Sequence, residues 1–273
     1  MTVRMRLAIF CVTYNTYEEL AGYYRSVCRA AERAEGRVAV DFFVGDNTGR
    51  GAREIVLERT QHVAPRVYVY GENLGYLGAA QRMMGSQDVD LLAYDYVAIS
   101  NVDLVLEEDA LQRLAEYTIP EGVGWLAPAL LSEAEGRDRN PGVLRRYSAL
   151  RLRMLRAMFR SAQLVALYRA TAYKRHRKQR AHAEGEVIYA GHGSFMLFTR
   201  EYFARCGLPQ FPMFLYGEEL YFAEQCRGHA LQVVYLPSMR IRDQEHASVS
   251  KMPSAALCRY NRASLGYILR TFY

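Results

Sequence analysis

Apolar positions occur along the first half of the chain in short unbroken runs, and between them apolar residues return at helical spacing. The run Leu7 to Thr13 predicts a strand buried on both faces. Asn15 then reads as a helix cap with Glu18 as its capping-box partner, leading into LAGYYRSVCRAAERA, which Gly36 ends. Val38 to Val44 predicts a second strand, closing in Gly45-Asp46-Asn47-Thr48-Gly49. A helix is expected near Arg53 to His62, a short strand from Arg66 to Tyr70, and a glycine-rich turn from Gly71 to Gly78. Tyr94 to Ser100 is the next strand, and Glu107 to Tyr117 is helical, with acids in its first turn. Strands alternating with helices in this way predict an α/β fold with a mainly parallel sheet.

Polar residues cluster where the predicted strands end: Thr13-Tyr14-Asn15, Asp46-Asn47 and Asn101-Val102-Asp103. In sheets of this class the loops after the carboxyl ends of strands open onto the ligand crevice. Asn and Asp are also ordinary turn formers, and it is the recurrence of the pattern that points to a site. A carboxylate at Asp103, with the oxygen of Asn101 two residues earlier on the same side, can hold a hard divalent cation that keeps positions open for phosphate oxygens. The turn GENLGYLGAA adds small residues and backbone N–H groups ahead of a helix, suited to close approach by a ligand. It matches neither GxGxxG nor GxxxxGK[ST], which argues against a dehydrogenase or a P-loop ATPase.

Further on, Glu218 and Glu219 open a helix whose apolar positions are Leu220, Phe222, Ala223 and Cys226. Carboxylates there serve as dipole caps or as a general base for a hydroxyl nucleophile. After an expected strand from Leu231 to Leu236, MRIRDQEHASVSK gathers Asp243, Glu245, His246 and Ser248, so that either Asp243 or His246 could complete a cation's coordination.

The set VTYN at 12–15, GDN at 45–47, ENLGYLGA at 72–79, SNVD at 100–103, GSFMLF at 193–198, YGEE at 216–219 and DQEHASVS at 243–250 resembles family 2 glycosyltransferases, the inverting enzymes of the GT-A fold. The resemblance implies a nucleotide-sugar donor, such as a UDP- or dTDP-sugar, held with Mg2+ or Mn2+, and a sugar hydroxyl as acceptor. It implies that Asp46 meets the nucleobase in a pocket lined by Thr13, Tyr14 and Asn15, with Asn73 and Gly75 also on the donor. Asn101 and Asp103 match the Asp-x-Asp position, Asp103 being the cation ligand, and Glu219, beside Glu218, matches the base. The sequence departs from the family pattern at several points. Asn101 begins the Asp-x-Asp motif, Glu stands for Asp at the base, Tyr221 and Gln225 replace an Asp and an Arg, and Asp243 takes the place of a late His, with His246 as rival ligand.

Composition changes the picture in one region. The 273 residues are 51% hydrophobic, enough for a large core. The five cysteines are scattered without metal or disulfide spacing, which suggests a reducing compartment. No segment has the roughly 18 uninterrupted apolar residues of a span, and the run at Leu7 to Val12 has no cleavage site after it. The expected location is therefore the cytoplasm or the inner face of the plasma membrane. The net charge of +6 arises in one place: between Asn140 and Ala183 there are twelve Lys or Arg and no acid, leaving 23 basic against 29 acidic residues elsewhere.

In that stretch Leu152, Leu155 and Phe159 recur at helical spacing beside Arg153, Arg156 and Arg160. This is the pattern of an interfacial helix on anionic lipid, or of an inserted helical pair packed on the domain with a solvated basic face. Nucleic acid is not expected, since no stacking platform or binding module is present. The C-terminal stretch 253–273 predicts a further amphipathic helix. The sequence thus suggests a single GT-A domain with a basic helical insertion near 135–185, transferring a sugar to a glycan acceptor, polyprenyl-linked, in surface-polysaccharide assembly. The rivals are a nucleotide-sugar pyrophosphorylase, which would carry a basic glycine-rich loop after the first strand, and a non-catalytic membrane or polyanion binder.

Overall fold

The computed structural model describes residues 5–168, 182–244 and 254–273. Strand β1 (Met5–Thr13) lies inside a sheet, pairing in parallel with β2 (Val38–Asp46) and β4 (Tyr96–Ser100). With β3 (Val63–Val69), β5 (Leu104–Leu106), β6 (Val123–Ser132), β9 (Phe195–Thr199) and β10 (Gln232–Asp243) the order is β3-β2-β1-β4-β9-β6-β10-β5. Strands β3, β2, β1, β4, β6 and β10 run the same way, while β9 and β5 run counter to them. Two short strands, β7 (Arg137–Asp138) and β8 (Val187–Ile188), pair with β6 and β10.

Alternate residues of β1 serve two cores, which is why the run is apolar without a break. Leu7, Ile9 and Cys11 pack with Tyr23, Val27 and Ala30 of α1 (Tyr17–Arg33) and with Leu111 and Leu114 of α3 (Ala110–Glu116). Ala8 and Phe10 face the opposite layer, with Met83 of α2 (Tyr76–Met84), Tyr202 of α6 (Arg200–Cys206) and Phe222 of α7 (Glu218–Gly228).

The predicted cap and one predicted helix are not formed. Helix α1 has Thr16 as its N-cap, and Asn15 lies outside the helix at φ +56°, its N–H donating to Thr48 Oγ1 at 3.0 Å. The β1–α1 link is closed instead by the Thr13 and Thr16 hydroxyls, 3.0 Å apart. From Arg53 to Thr60 the chain is irregular, with no helix. Ile55 and Leu57 pack on the first core while Val56 is exposed, so the run REIVLE buries every second residue, a period of extended chain. Tyr24 Oη pins the segment by donating to Glu58 O at 2.6 Å. The strand expected to end at Leu236 continues to Asp243, because a shift in its pairing with β6 between Leu236 and Arg240 absorbs Pro237.

The basic insertion forms α4 (Ala149–Met158) and α5 (Ala162–Tyr168), both packed against α8 (Ser254–Phe272). Leu152 is fully buried there, and Leu155 and Phe159 pack on the second core. The apolar stripe is therefore spent on protein contact. Arg146 ties the insertion down through Glu224 of α7, Nε to Oε1 at 2.7 Å and Nη2 to Oε2 at 3.1 Å. Glu224 also accepts from Tyr189 Oη at 2.6 Å and Tyr273 Oη at 3.2 Å. The rest of the insertion, 169–181, and His246 lie outside the described residues. Among the described residues no helix is long and apolar enough to cross a membrane.

Candidate active site

A cavity of about 450 Å3 opens where β1, β2 and β4 end, and it draws its wall from seven separate parts of the chain. Tyr14 comes from the end of β1, Asn47 from β2, and Asn73 and Gly75 from the turn before α2. Asn101 and Asp103 follow β4, and Glu218 and Glu219 stand at the start of α7. The acid near β4 and the acid pair of α7, far apart in sequence, thus face one space.

The turn at 71–75 is fixed from two sides. Asn73 Oδ1 accepts from Gly75 N at 3.0 Å, and Asn47 Nδ2 donates to Gly75 O at 2.9 Å. Gly75 has φ +76°, and a Cβ there would lie 2.2 Å from Phe214 O, so only glycine lets the turn close against the 214–219 wall. Asn47 is 2% exposed and its Oδ1 has no partner, a buried acceptor at the cavity's edge. Asn101 is held by Ser194, N to O at 2.8 Å and Nδ2 to Oγ at 3.3 Å. Asp103 is 6% exposed, and its backbone O accepts from Gln244 N at 3.0 Å.

Glu218 and Glu219 follow Tyr216 and Gly217, both at positive φ (+69° and +87°), a tight entry that turns the first residues of α7 toward the cavity. Burial, and then the neighbouring Glu219 charge, push the Glu218 carboxyl up to about 8, and its Oε1 has no hydrogen-bond partner. Glu219 is also raised by burial, but N–H groups of its own backbone and of Gly193 work in the opposite sense. Two adjacent carboxyls so placed oppose each other's ionisation, and the push toward the protonated form is the stronger on Glu218. A Cβ on Gly193 would come 2.7 Å from Glu219 Oε1, so the bare backbone at 193 is what lets this carboxylate lie along the wall.

Other predicted residues stand off the wall. Thr13 and Asp46 are fully buried, and Asp46 accepts from Thr48 N at 2.8 Å and from Tyr17 Oη at 3.2 Å. Asn15 acts through its backbone, as described above. Asp243, 2% exposed, is paired with Arg139, Nη1 to Oδ2 at 2.9 Å. Among the described residues no three His, Cys, Asp or Glu side chains gather as a metal cluster.

Among the side chains of the wall that sequence reasoning missed are Arg139 and His192. Burial, reinforced by Arg139 and Arg137, pushes the His192 imidazole down to about 4, so it is neutral. Its Nδ1 accepts from Ser194 N at 3.2 Å, which leaves the proton on Nε2. The available signal for His192 was its place in GHGS, directly ahead of the apolar run FMLF.

The sequence matches no protein-family model and no curated protein sequence. Solved structures do match in fold. GalNAc-T7, solved with UDP, GalNAc and Mn2+, aligns over 92% of this chain at 10% identity and a TM-score of 0.55, though over only 45% of its own length. S. aureus TarS 1–349 aligns over 98% of this chain and 70% of its own, at 10% identity and a TM-score of 0.53. At such identities the likeness is one of architecture, and it is the one expected: a central mixed sheet with flanking helices, the fold of GT-A glycosyltransferases.

Proposed function

We propose that the protein is a glycosyltransferase that moves a sugar from a nucleotide diphosphate to an acceptor hydroxyl with inversion at the anomeric carbon. The observation that supports this reading is the shared cavity, whose wall includes Asp103 and Asn101 together with Glu218 and Glu219. The GalNAc-T7 structure of the same fold holds UDP, GalNAc and Mn2+, in keeping with a UDP-type donor here.

The fit to a divalent cation is that of one which arrives with its substrate. On the β4 side Asp103 lines the cavity, while Asp243 is paired with Arg139. Mg2+ and similar ions bind through one or two carboxylates plus phosphate oxygens, so Asp103 with Asn101 suffices to hold Mg2+ or Mn2+ once a diphosphate is present. Bound there, the ion would neutralise the departing diphosphate. The chain's own groups do the rest. Glu219 accepts the proton of the attacking hydroxyl, and its raised pKa makes it the stronger base for that purpose. Glu218, protonated, spares the cavity a further negative charge. The wall at Asn73, Gly75 and Asn47 holds the donor, with Tyr14 at the nucleoside end.

In this reading the acceptor is a glycan, carried on a polyprenyl lipid and used in surface-polysaccharide assembly, and the basic insertion faces the anionic membrane that holds it. The test is E219Q, assayed against UDP- and dTDP-sugars with Mn2+. Donor binding should persist and transfer should be lost. Full transfer by the variant would rule Glu219 out as the base.

A further inference from the structure

Two more cavities continue from the Glu219 side of the first. One, of about 350 Å3, shares Tyr216 and Glu219 with it and is walled by Leu155, Phe159 and Leu265, with polar atoms of Asn261 and Ser264. The next, of about 500 Å3, adjoins that one through Phe159 and lies between α4 and α8. It is lined by Arg156, Arg160, Arg259 and Arg262. The series therefore runs from the proposed base, through a partly apolar space large enough for a sugar ring, to four guanidinium groups.

Among the described residues no carboxylate pairs with any of these four charges. Neither the stretch from Asn140 to Ala183 nor helix α8 contains any Asp or Glu. Among the described residues the insertion's arginine that meets a carboxylate is Arg146, on Glu224, and none of the four does so. Arg259 reaches only the Tyr260 hydroxyl, Nη2 to Oη at 3.2 Å. Like charges gathered on two facing helices repel one another, and an incoming anion relieves that cost. Guanidinium forks match phosphate oxygens in pairs.

We infer that the acceptor is a sugar bearing a phosphate or diphosphate, which the four arginines bind while the ring occupies the intervening cavity with one hydroxyl at Glu219. The placing of the ring rests on the reading of Glu219 as the base; the phosphate site stands apart from it. The same chemistry can come from a soluble sugar phosphate or from one carried on a lipid, and the arms of the test separate them.

The test is isothermal titration of the full chain with inorganic pyrophosphate and with glucose 1-phosphate, in chelator so that no cation bridges anions to Asp103. Both should bind, and R160Q/R262Q should weaken both by about tenfold or more, while binding of UDP with Mn2+ in a separate titration stays unchanged. The two side chains are exposed, so the variant should fold, which its thermal melt checks. R160K/R262K, keeping the charge without the fork, should show an intermediate loss. Farnesyl diphosphate binding more tightly than pyrophosphate would assign the phosphate to a lipid carrier, and equal binding to a soluble one. The inference is overturned if the wild type binds no pyrophosphate, if the double variant binds it as tightly, or if phosphatidylglycerol vesicles sediment the chain while neither phosphate probe binds. Absence of UDP binding in the wild type would sink the donor reading alone and leave the pyrophosphate result standing.

Discussion

Glu218 should make the protein less stable as pH rises, and the size of the effect follows from where the carboxyl sits. It is 5% exposed, its Oε1 has no partner, and burial holds its pKa near 8 in place of the ordinary 4.5. A folded-state pKa above the unfolded one means that the native state binds the proton more tightly between those values. The corresponding stability is fully present below about pH 4.5 and is lost as pH climbs toward 8, by about 5 kcal/mol in total. Against a typical global stability of about 5–15 kcal/mol this is a large fraction. E218Q keeps the shape and cannot ionise. At pH 5 it should match the wild type or lose about 1 kcal/mol for an imperfectly paired amide, and by pH 8.5 it should be the more stable protein by about 3 kcal/mol. Urea unfolding of both proteins at pH 5, 7 and 8.5, in chelator, measures this as a difference in which the titrating groups outside the Glu218–Glu219 pair cancel. Parallel stability profiles across that range would show that Glu218 ionises freely in the folded protein, and the account of opposed ionisation with Glu219 would fail with it.

Two further substitutions probe the frame around the site. G193A places a methyl group where Glu219 Oε1 now lies, at 2.7 Å; because that atom ends a flexible side chain, the melting temperature should hardly move while transfer falls about tenfold to a hundredfold with donor affinity kept, as steady-state kinetics beside a UDP titration will show. E224A removes the buried carboxylate that receives Arg146, Tyr189 and Tyr273 and should cost about 2–4 kcal/mol; an unchanged urea midpoint would mean that the insertion is not held through this residue.

The parts of the fold that could be read from the sequence were those in which burial alone sets the pattern. Strands β1 and β4 are buried on both faces, so an unbroken apolar run marks each, and a polar group after such a run has no packing reason to be there. Asn101 and Asp103 stood out on that ground, and the acid pair of α7 by its place at the head of a helix. Misreadings came where a local rule met a longer-range partner. Asn15 has the identity of a cap but serves Thr48 through its backbone, and Ile55 and Leu57 follow a period of two that a helical reading of ten residues overlooks. Arg139 carries no local signal, and His192 only its place in GHGS ahead of FMLF, since they reach the cavity through the pairing of β7 with β6 and of β9 with β4.

The uneven charge of the chain acquires a meaning once the cavities are placed in sequence. A diphosphate entering the first cavity meets Asp103 and the Glu219 anion, while Arg139, the cation on that wall, is already committed to Asp243 and Glu135. Anion meeting anion is unfavourable there, so the proposed donor side calls for an added positive charge that the described residues lining it do not supply. On the far side of Glu219 the balance reverses, with four arginines on helices devoid of acids. An insertion that lowered the charge of the donor side would also have drawn phosphate-bearing acceptors into it. In the proposed reading, gathering four arginines between α4 and α8, with Glu219 at the boundary, would keep two anionic substrates in separate places and leave the hydroxyl of one facing the anomeric carbon of the other.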